Sequence, residues 1–267
     1  MSDDIHIPMA PPARQLHSRW MLASGNFFFR VRNALFPVVF MILMLVTRPA
    51  QFLHRPDWDR IVMLAGVCMA LAGQAFRLFV IGFAYIQRGG KNRQVYADKL
   101  VVAGLYAHTR NPMYVGNFLI ACGLGIFYGS PWMYLFVIPF FTWVYLAITA
   151  AEEQYLLGRF GSDYEDYLAK VPRFIPDFHG LSRSLSGYPY RWREALAKEY
   201  GTLFGTLAGL TAIAMWKTFW LHGWAQQRAE ILALAWLFVP WTGFYATIRF
   251  LKRTGRLKQP APPPGGA

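Results

Sequence analysis

The chain has 267 residues, of which 55% are hydrophobic and only 15% charged, and its net charge is +13. Soluble domains run at roughly 45–50% apolar and about 25% charged, so this composition excludes an ordinary soluble fold of the same length. The basic excess sits between the apolar blocks. It therefore points to anionic lipid and membrane topology and excludes nucleic acid as a partner, no reading motif being present.

The first segment, 1–32, is polar and contains Ile7-Pro8-Met9-Ala10-Pro11-Pro12. It lacks the charged-then-apolar design of a secretory signal and is expected to stay in the cytoplasm. Six apolar blocks follow, at 33–47, 61–86, 112–128, 131–151, 202–221 and 229–250. A helix needs ~20 residues to cross the hydrocarbon, so the first block needs flanking residues or tilt. Only Gly129-Ser130 separates the third and fourth, which predicts a tight helical hairpin. The predicted fold is all-α: a polytopic membrane bundle of about six transmembrane helices forming one domain over 33–250. A basic, Pro-rich tail over 251–267 is expected to be disordered.

With the N-terminus inside, Lys plus Arg number four in 1–33, five in 87–110, seven in 152–200 and five in 249–258. The opposite loops hold three in 48–60 and one in 223–228. The positive-inside rule then places both termini in the cytoplasm and favours a bacterial inner membrane. Arg77 and Lys217 fall within spans. Lys217 can snorkel, whereas the deeper Arg77 needs a partner or a polar cavity. Cys68 and Cys122 lie in apolar blocks, so neither a disulfide framework nor a structural metal site is expected.

The chemistry is expected in the two long cytoplasmic segments. Residues 104–116 read Gly-Leu-Tyr-Ala-His-Thr-Arg-Asn-Pro-Met-Tyr-Val-Gly. Asn111 suits an N-cap and Pro112 the first helical position, so this loop delivers Tyr106, His108 and Arg110 to a helix start, where free N–H groups suit an anion. At the other end of the hairpin stands Glu152-Glu153. Because the hairpin returns to the same face, donors on one side meet carboxylates on the other. That mixture fits S-adenosylmethionine, with Tyr106 and Tyr114 available for adenine or sulfonium contacts, but the spacing alone fits a nucleotide too. Ser162 to Glu165 matches a capping box that starts a short amphipathic helix, ended by Val171-Pro172-Arg173-Phe174-Ile175-Pro176.

In order and spacing from about Arg77 to Pro176, these motifs resemble the isoprenylcysteine carboxyl methyltransferase and phospholipid methyltransferase superfamily. The resemblance implies a helical membrane enzyme with a cytoplasmic S-adenosylmethionine pocket and a lipid or lipidated substrate entering from the bilayer. It implies cofactor contacts from Asp98-Lys99-Leu100-Val101 through backbone, and from Tyr106, Asn111, Pro112, Tyr114 and Glu152. His108, Glu153 and Tyr114 are candidate bases, and Arg110 and Arg173 candidates for a substrate phosphate or carboxylate. Two positions depart from the family. Asn111 stands where many members have His, so it reads as a cofactor contact and not as a base. Ile148 stands where the eukaryotic isoprenylcysteine enzymes carry a substrate-binding Arg. The substrate is therefore left open between a phospholipid amine and a prenyl-type carboxylate. Two other readings stand beside this one: a membrane NADPH-dependent sterol-type reductase and a non-enzymatic scaffold. The last two spans are left to extend a lipid groove or to form a homodimer face.

Overall fold

The computed structural model describes residues 15–52, 55–83, 97, 100–186 and 188–257. The Pro-rich N-terminal run, half of the 87–110 loop and the tail over 258–267 lie outside the described residues. Among those described, the fold is entirely helical. The helices are α1 (Arg19–Val46), α2 (Pro56–Phe83), α3 (Pro112–Tyr128), α4 (Pro131–Phe160), α5 (Ser162–Lys170), α6 (Leu181–Leu185), α7 (Trp192–His222), α8 (Trp224–Trp236) and α9 (Phe238–Arg253), with a 3₁₀ turn at Gly104–Ala107.

Among the described residues, four helical stretches are long and apolar enough to cross a membrane: Arg19–Val46, Asp57–Phe83, Pro131–Phe160 and Trp224–Arg253. Helix α3 has 17 residues and is shorter, while the fifth apolar block lies inside the 31-residue α7. Two boundaries differ from expectation. Helix α1 begins at Arg19, well before the apolar block, because Ser18 caps it through its hydroxyl on the Met21 N–H. Helix α5 does not start on a Ser162 capping box. Its cap is Gly161 at φ 55°, with no side-chain cap bond, and the N–H groups of Tyr164 and Glu165 bond the Gly161 carbonyl. A positive φ costs glycine nothing, and here it turns the chain from α4 into α5 without a hydroxyl.

The α3–α4 hairpin forms as the sequence predicts. Gly129 closes α3 in the left-handed conformation at φ 78°, and Pro131 opens α4 at its first turn. Helices α2 and α3 then pack backbone to backbone. A Cβ on Gly123 would lie 2.4 Å from the Ala70 nitrogen, and one on Gly66 2.6 Å from the Phe127 nitrogen. Small residues at such a crossing are what membrane helices use when lipid offers no hydrophobic driving force. Helix α1 approaches α4 in the same way, with Gly25 against the Ala147 carbonyl. Aromatic and aliphatic side chains fill the remaining space, including Phe40, Tyr128, Met133 and Phe141.

Helix α7 is held differently. Arg77 of α2 makes a two-point ion pair with Glu199 of α7, at 2.7 and 2.8 Å, and the two residues are 6% and 0% exposed. Lys217 of α7, 3% exposed, donates to Asp59 of α2 at 3.0 Å. Eighteen residues separate Asp59 from Arg77, and eighteen separate Glu199 from Lys217. At 3.6 residues per turn that is five turns, so each helix keeps both charges on one stripe, ~27 Å apart. The hydrocarbon is ~30 Å thick. The charges that looked isolated in the sequence are thus two bolts, one towards each end of the α2–α7 contact. Lys217 finds a carboxylate and does not snorkel to water.

Two stability outcomes follow, both read as thermal unfolding in detergent. Asp59→Leu alone strands Lys217 and is expected to cost about 3–5 kcal/mol, whereas Asp59→Leu with Lys217→Met restores most of that loss. Gly123→Ala forces α2 from α3 and costs about 1–3 kcal/mol. Gly158→Ala, whose Cβ meets nothing within 4 Å, gains up to ~1 kcal/mol from helix propensity.

Candidate active site

The segment Val171-Pro172-Arg173-Phe174-Ile175-Pro176 runs back along the start of α3 and is zipped to it. The Arg110 N–H donates to the Pro172 carbonyl at 2.9 Å, and the Asp177 N–H to the His108 carbonyl at 2.9 Å. Thr109 donates its hydroxyl to the Phe174 carbonyl at 3.1 Å. The Asn111 amide donates to the Arg173 carbonyl at 3.1 Å. Asn111 does sit at the cap position of α3, but its side chain makes no cap bond. It is spent on the neighbouring strap. The first turn of α3 consequently carries no side-chain cap.

His108 takes part in the same zipper. It is 5% exposed, with Nδ1 on the Asp177 carbonyl and Nε2 2.9 Å from the Ser184 hydroxyl. Both ring nitrogens are engaged away from the cavity described below, which leaves this imidazole no route to a substrate proton. The nearby Tyr167 hydroxyl donates to the Tyr106 carbonyl at 2.7 Å and so fixes the 3₁₀ turn.

The adjacent carboxylates Glu152 and Glu153 have separate surroundings, since neighbours on a helix point ~100° apart. Glu153 faces the strap. Arg173 grips both its oxygens, through Nε at 2.9 Å and through Nη2, Arg110 Nη1 stands 2.9 Å from Oε1, and His17 Nε2 lies 3.1 Å from Oε2. The hydrogen bond to Glu153 also holds the Arg173 guanidinium proton more tightly than usual. Glu153, expected as a base, lines the cavity described below, but both its oxygens are held by Arg173, Arg110 and His17, so it is an anchor. Glu152 instead accepts from the Tyr114 hydroxyl at 2.8 Å. That hydroxyl receives Arg32 Nη1 at 3.0 Å, and Arg32 stands 3.8 Å from Glu152 itself.

One cavity of about 1770 Å³ opens beside this pair. Its polar end is walled by Tyr106, Arg110, Asn111, Tyr114 and Glu152, with Leu100 and Val101 beside them. Its other end is apolar and runs between α1 and α7 past Phe36, Phe40, Leu124 and Phe141 as far as Met44 and Trp216. Of the sequence-predicted residues, His108, Pro112 and Arg173 do not line it. Asp98 and Lys99 lie outside the described residues. Burial pushes the Tyr106 phenol well above its usual range, with further contributions from Glu152, which raises it, and Arg77, which lowers it. Tyr106 is therefore a donor at neutral pH, and it lies within the field of both groups.

Sequence reasoning missed Arg32, His17, Asn117, Tyr145 and Glu199. Arg32 carried the only usable signal, as a charge at the edge of an apolar block.

A family model described as phospholipid methyltransferase matches residues 62–163. The chain is 31% identical over 162 residues to the Protein-S-isoprenylcysteine O-methyltransferase of Schizosaccharomyces pombe, covering 58% of this chain and 61% of that protein. It is 28% identical over 167 residues to a nickel-cobalt-cadmium resistance protein of Alcaligenes xylosoxydans xylosoxydans, covering 61% and 72%. It is 29% identical over 141 residues to the Protein-S-isoprenylcysteine O-methyltransferase of Rattus norvegicus, covering 49% and 47%. The matched stretch is similar to the isoprenylcysteine and phospholipid methyltransferases. The chain spans about three fifths of the length of the yeast relative and about half of the rat one. No solved structure matches the chain. Helices α1 and α7 both lie outside residues 62–163, so the matched stretch is walled on two sides by elements that the family model does not describe.

The zipper predicts a structural role for Arg173. Arg173→Ala is expected to lower stability by about 1–3 kcal/mol in thermal melts, as befits a charged hydrogen-bonded pair that is only partly buried. Arg173→Lys recovers only part, because an ammonium cannot hold both carboxylate oxygens in the same fork.

Proposed function

We propose that the protein is a membrane methyltransferase that moves a methyl group from S-adenosylmethionine to a lipid or lipidated substrate at the cytoplasmic face. The observation that carries this reading is the single cavity with a carboxylate-and-phenol end and a long apolar end. The residues present suit the cofactor. In the first turn of α3 the Tyr114 and Val115 N–H groups bond the Asn111 carbonyl and Pro112 has none, so the Met113 N–H and the positive dipole are what it offers a carboxylate. Glu152, reached through the Tyr114 hydroxyl, offers an acceptor for an ammonium or ribose hydroxyls. Tyr106 and Tyr114 offer aromatic faces for adenine or sulfonium, and Leu100 and Val101 line the same end. When bound, the cofactor supplies a methyl group already activated for in-line displacement.

The protein's share is placement and desolvation, and placing two reactants can offset ~7–11 kcal/mol of barrier. Arg110, Glu153, Arg173 and His108 serve this by holding the 171–177 strap as a fixed roof over the site. The apolar end between α1 and α7 receives the hydrocarbon, which reaches it from the bilayer. The excess of Lys and Arg on the segments flanking the site supports a cytoplasmic orientation with both termini inside. The two named methyltransferase relatives support methyl transfer over a nicotinamide-dependent reduction.

Calorimetry of S-adenosylmethionine on the detergent-purified protein is the test. Wild type is expected to bind. Glu152→Gln weakens binding roughly 10- to 100-fold, the scale of one charged hydrogen bond, and Tyr114→Phe about 2- to 10-fold, the scale of a neutral one. A folded protein that binds no S-adenosylmethionine, or binds equally well after Glu152→Gln, overturns the assignment.

A further inference from the structure

The cofactor assignment uses only the polar end of the cavity. The apolar end is deep, and two helices wall it along its length. On α7 the lining begins near Gly201 and ends at Trp216, fifteen residues further on, which is ~22 Å of helix. On α1 it runs from Arg30 to Leu45, again fifteen residues. The passage is therefore longer than one leaflet, which is about half of a ~30 Å hydrocarbon layer.

The α7 wall has an unusual surface. Gly201, Gly205 and Gly209 recur every fourth residue, so they fall on one stripe, and all three line the cavity. Glycine elsewhere in this bundle marks a helix crossing. A Cβ on Gly25, Gly66, Gly73 or Gly123 would lie between 2.0 and 2.7 Å from the backbone of a neighbouring helix. The α7 glycines cross nothing: a Cβ on Gly201 or Gly205 meets no atom within 4 Å, and one on Gly209 only the Leu124 methyls at 3.7 Å. Glycine weakens a helix relative to alanine, and here no packed helix compensates. What the three glycines leave is a smooth trough in the cavity wall. Below them the wall thickens through Ala212 and Ile213 to the indole of Trp216. That ring is braced, with Trp220 at 5.9 Å and Phe219 at 6.2 Å, and the next residue, Lys217, is bolted to Asp59. Tyr128, in the core cluster that Trp216 packs against, ties the end of α3 to the Thr47 carbonyl at 2.7 Å. The trough thus ends on a fixed aromatic stop.

A passage of set length between a polar site and a fixed stop measures what enters it. Resting on the methyl-transfer reading, we propose that the acceptor's hydrocarbon lies extended along the α7 glycines with its tail against Trp216, and that α7 thereby selects acceptors by chain length. The substrate class is a lipid whose head reaches Tyr114 and Glu152 while its chain fills the trough. A shorter chain leaves the wall beside Trp216 without contacts. A longer one must fold back or leave between α1 and α7, and it loses contacts along the trough. Both selecting features lie outside the matched residues 62–163, so chain preference is set apart from the elements that hold the cofactor.

The test places the full-length protein in phosphatidylcholine nanodiscs and measures binding of two probe series, N-acetyl-S-alkylcysteines and alkyl phosphoethanolamines, with chains from octyl to tetracosyl. Each series is read by displacement of its own tritiated hexadecyl member. In at least one series, affinity is expected to peak between hexadecyl and eicosyl, whose extended lengths bracket that of the trough, and to fall at least tenfold by tetracosyl. Trp216→Ala, which removes the stop, is expected to raise tetracosyl affinity at least fivefold. Gly209→Leu, which fills the trough part-way down, weakens octadecyl binding at least tenfold and leaves octyl binding within twofold. It carries the test if Trp216→Ala does not fold. Calorimetric S-adenosylmethionine affinity stays within twofold in both variants. A flat length profile, binding of neither series, or a profile that the variants leave unchanged or lower equally at all lengths overturns the inference alone. Absence of S-adenosylmethionine binding overturns the underlying assignment.

Discussion

The two buried ion pairs between α2 and α7 are the constraint on which the rest of the structure depends. A charge in the hydrocarbon is costly unless it is paired and hydrogen-bonded. Arg77 and Lys217 therefore leave the antiparallel helices one register, the one that meets both Glu199 and Asp59. A slip of one turn leaves four charges unpaired. Packing alone does not impose such a penalty in lipid, where sliding apolar helices exchange one set of dispersion contacts for another. The register matters because α7 is a cavity wall. With α7 fixed against α2 and α3, and α1 fixed against α4 by the Gly25 contact, a space remains between α1 and α7 that is floored by α3 and α4.

The polar end of that space follows from a second constraint, the strap over 171–177. His108, Thr109 and Asn111 spend their side chains on it, and Arg110 and Arg173 converge on Glu153. The consequence is a division of labour between adjacent residues. Glu153 is saturated by cations and holds the roof in place. Glu152, one position earlier and facing another way, is approached by a phenol and, at a longer distance, by Arg32. A helix is the simplest way to give two neighbouring carboxylates opposite environments, because the 100° step separates them while the backbone keeps them rigid.

Much of this was legible in the sequence. The hairpin, the positions of Asn111 and Pro112 at the start of α3, and the return of Glu152 to the same face all depend on spacing along one or two connected helices, and spacing is what a sequence displays. The wiring was not legible. His17 reaches Glu153 across 136 residues and Arg77 reaches Glu199 across 122. Nothing in the local pattern of either partner distinguishes such a contact from a charge that faces water or headgroups. The same limit misassigned His108. In the run Ala-His-Thr-Arg-Asn a histidine before a helix start looks like a ligand group, whereas its partners, Asp177 and Ser184, lie about 70 residues away. Glu199 shows the limit most sharply. It lies in a charged stretch that reads as an interfacial segment, yet it is fully buried because the helix carrying it packs on beside Arg77.

Arg77 also shows why a buried ion pair is better tolerated beside a cavity than a lone cation. An unpaired guanidinium in an apolar cavity would need compensation before any substrate arrived. Paired with Glu199, it is held neutral overall, oriented by Asn117, and still directs donors at the cavity. The balancing charge stands behind the guanidinium, buried and off the cavity wall, so the pair that lets α7 fold against α2 also puts Arg77 on the wall of the space between α7 and α1.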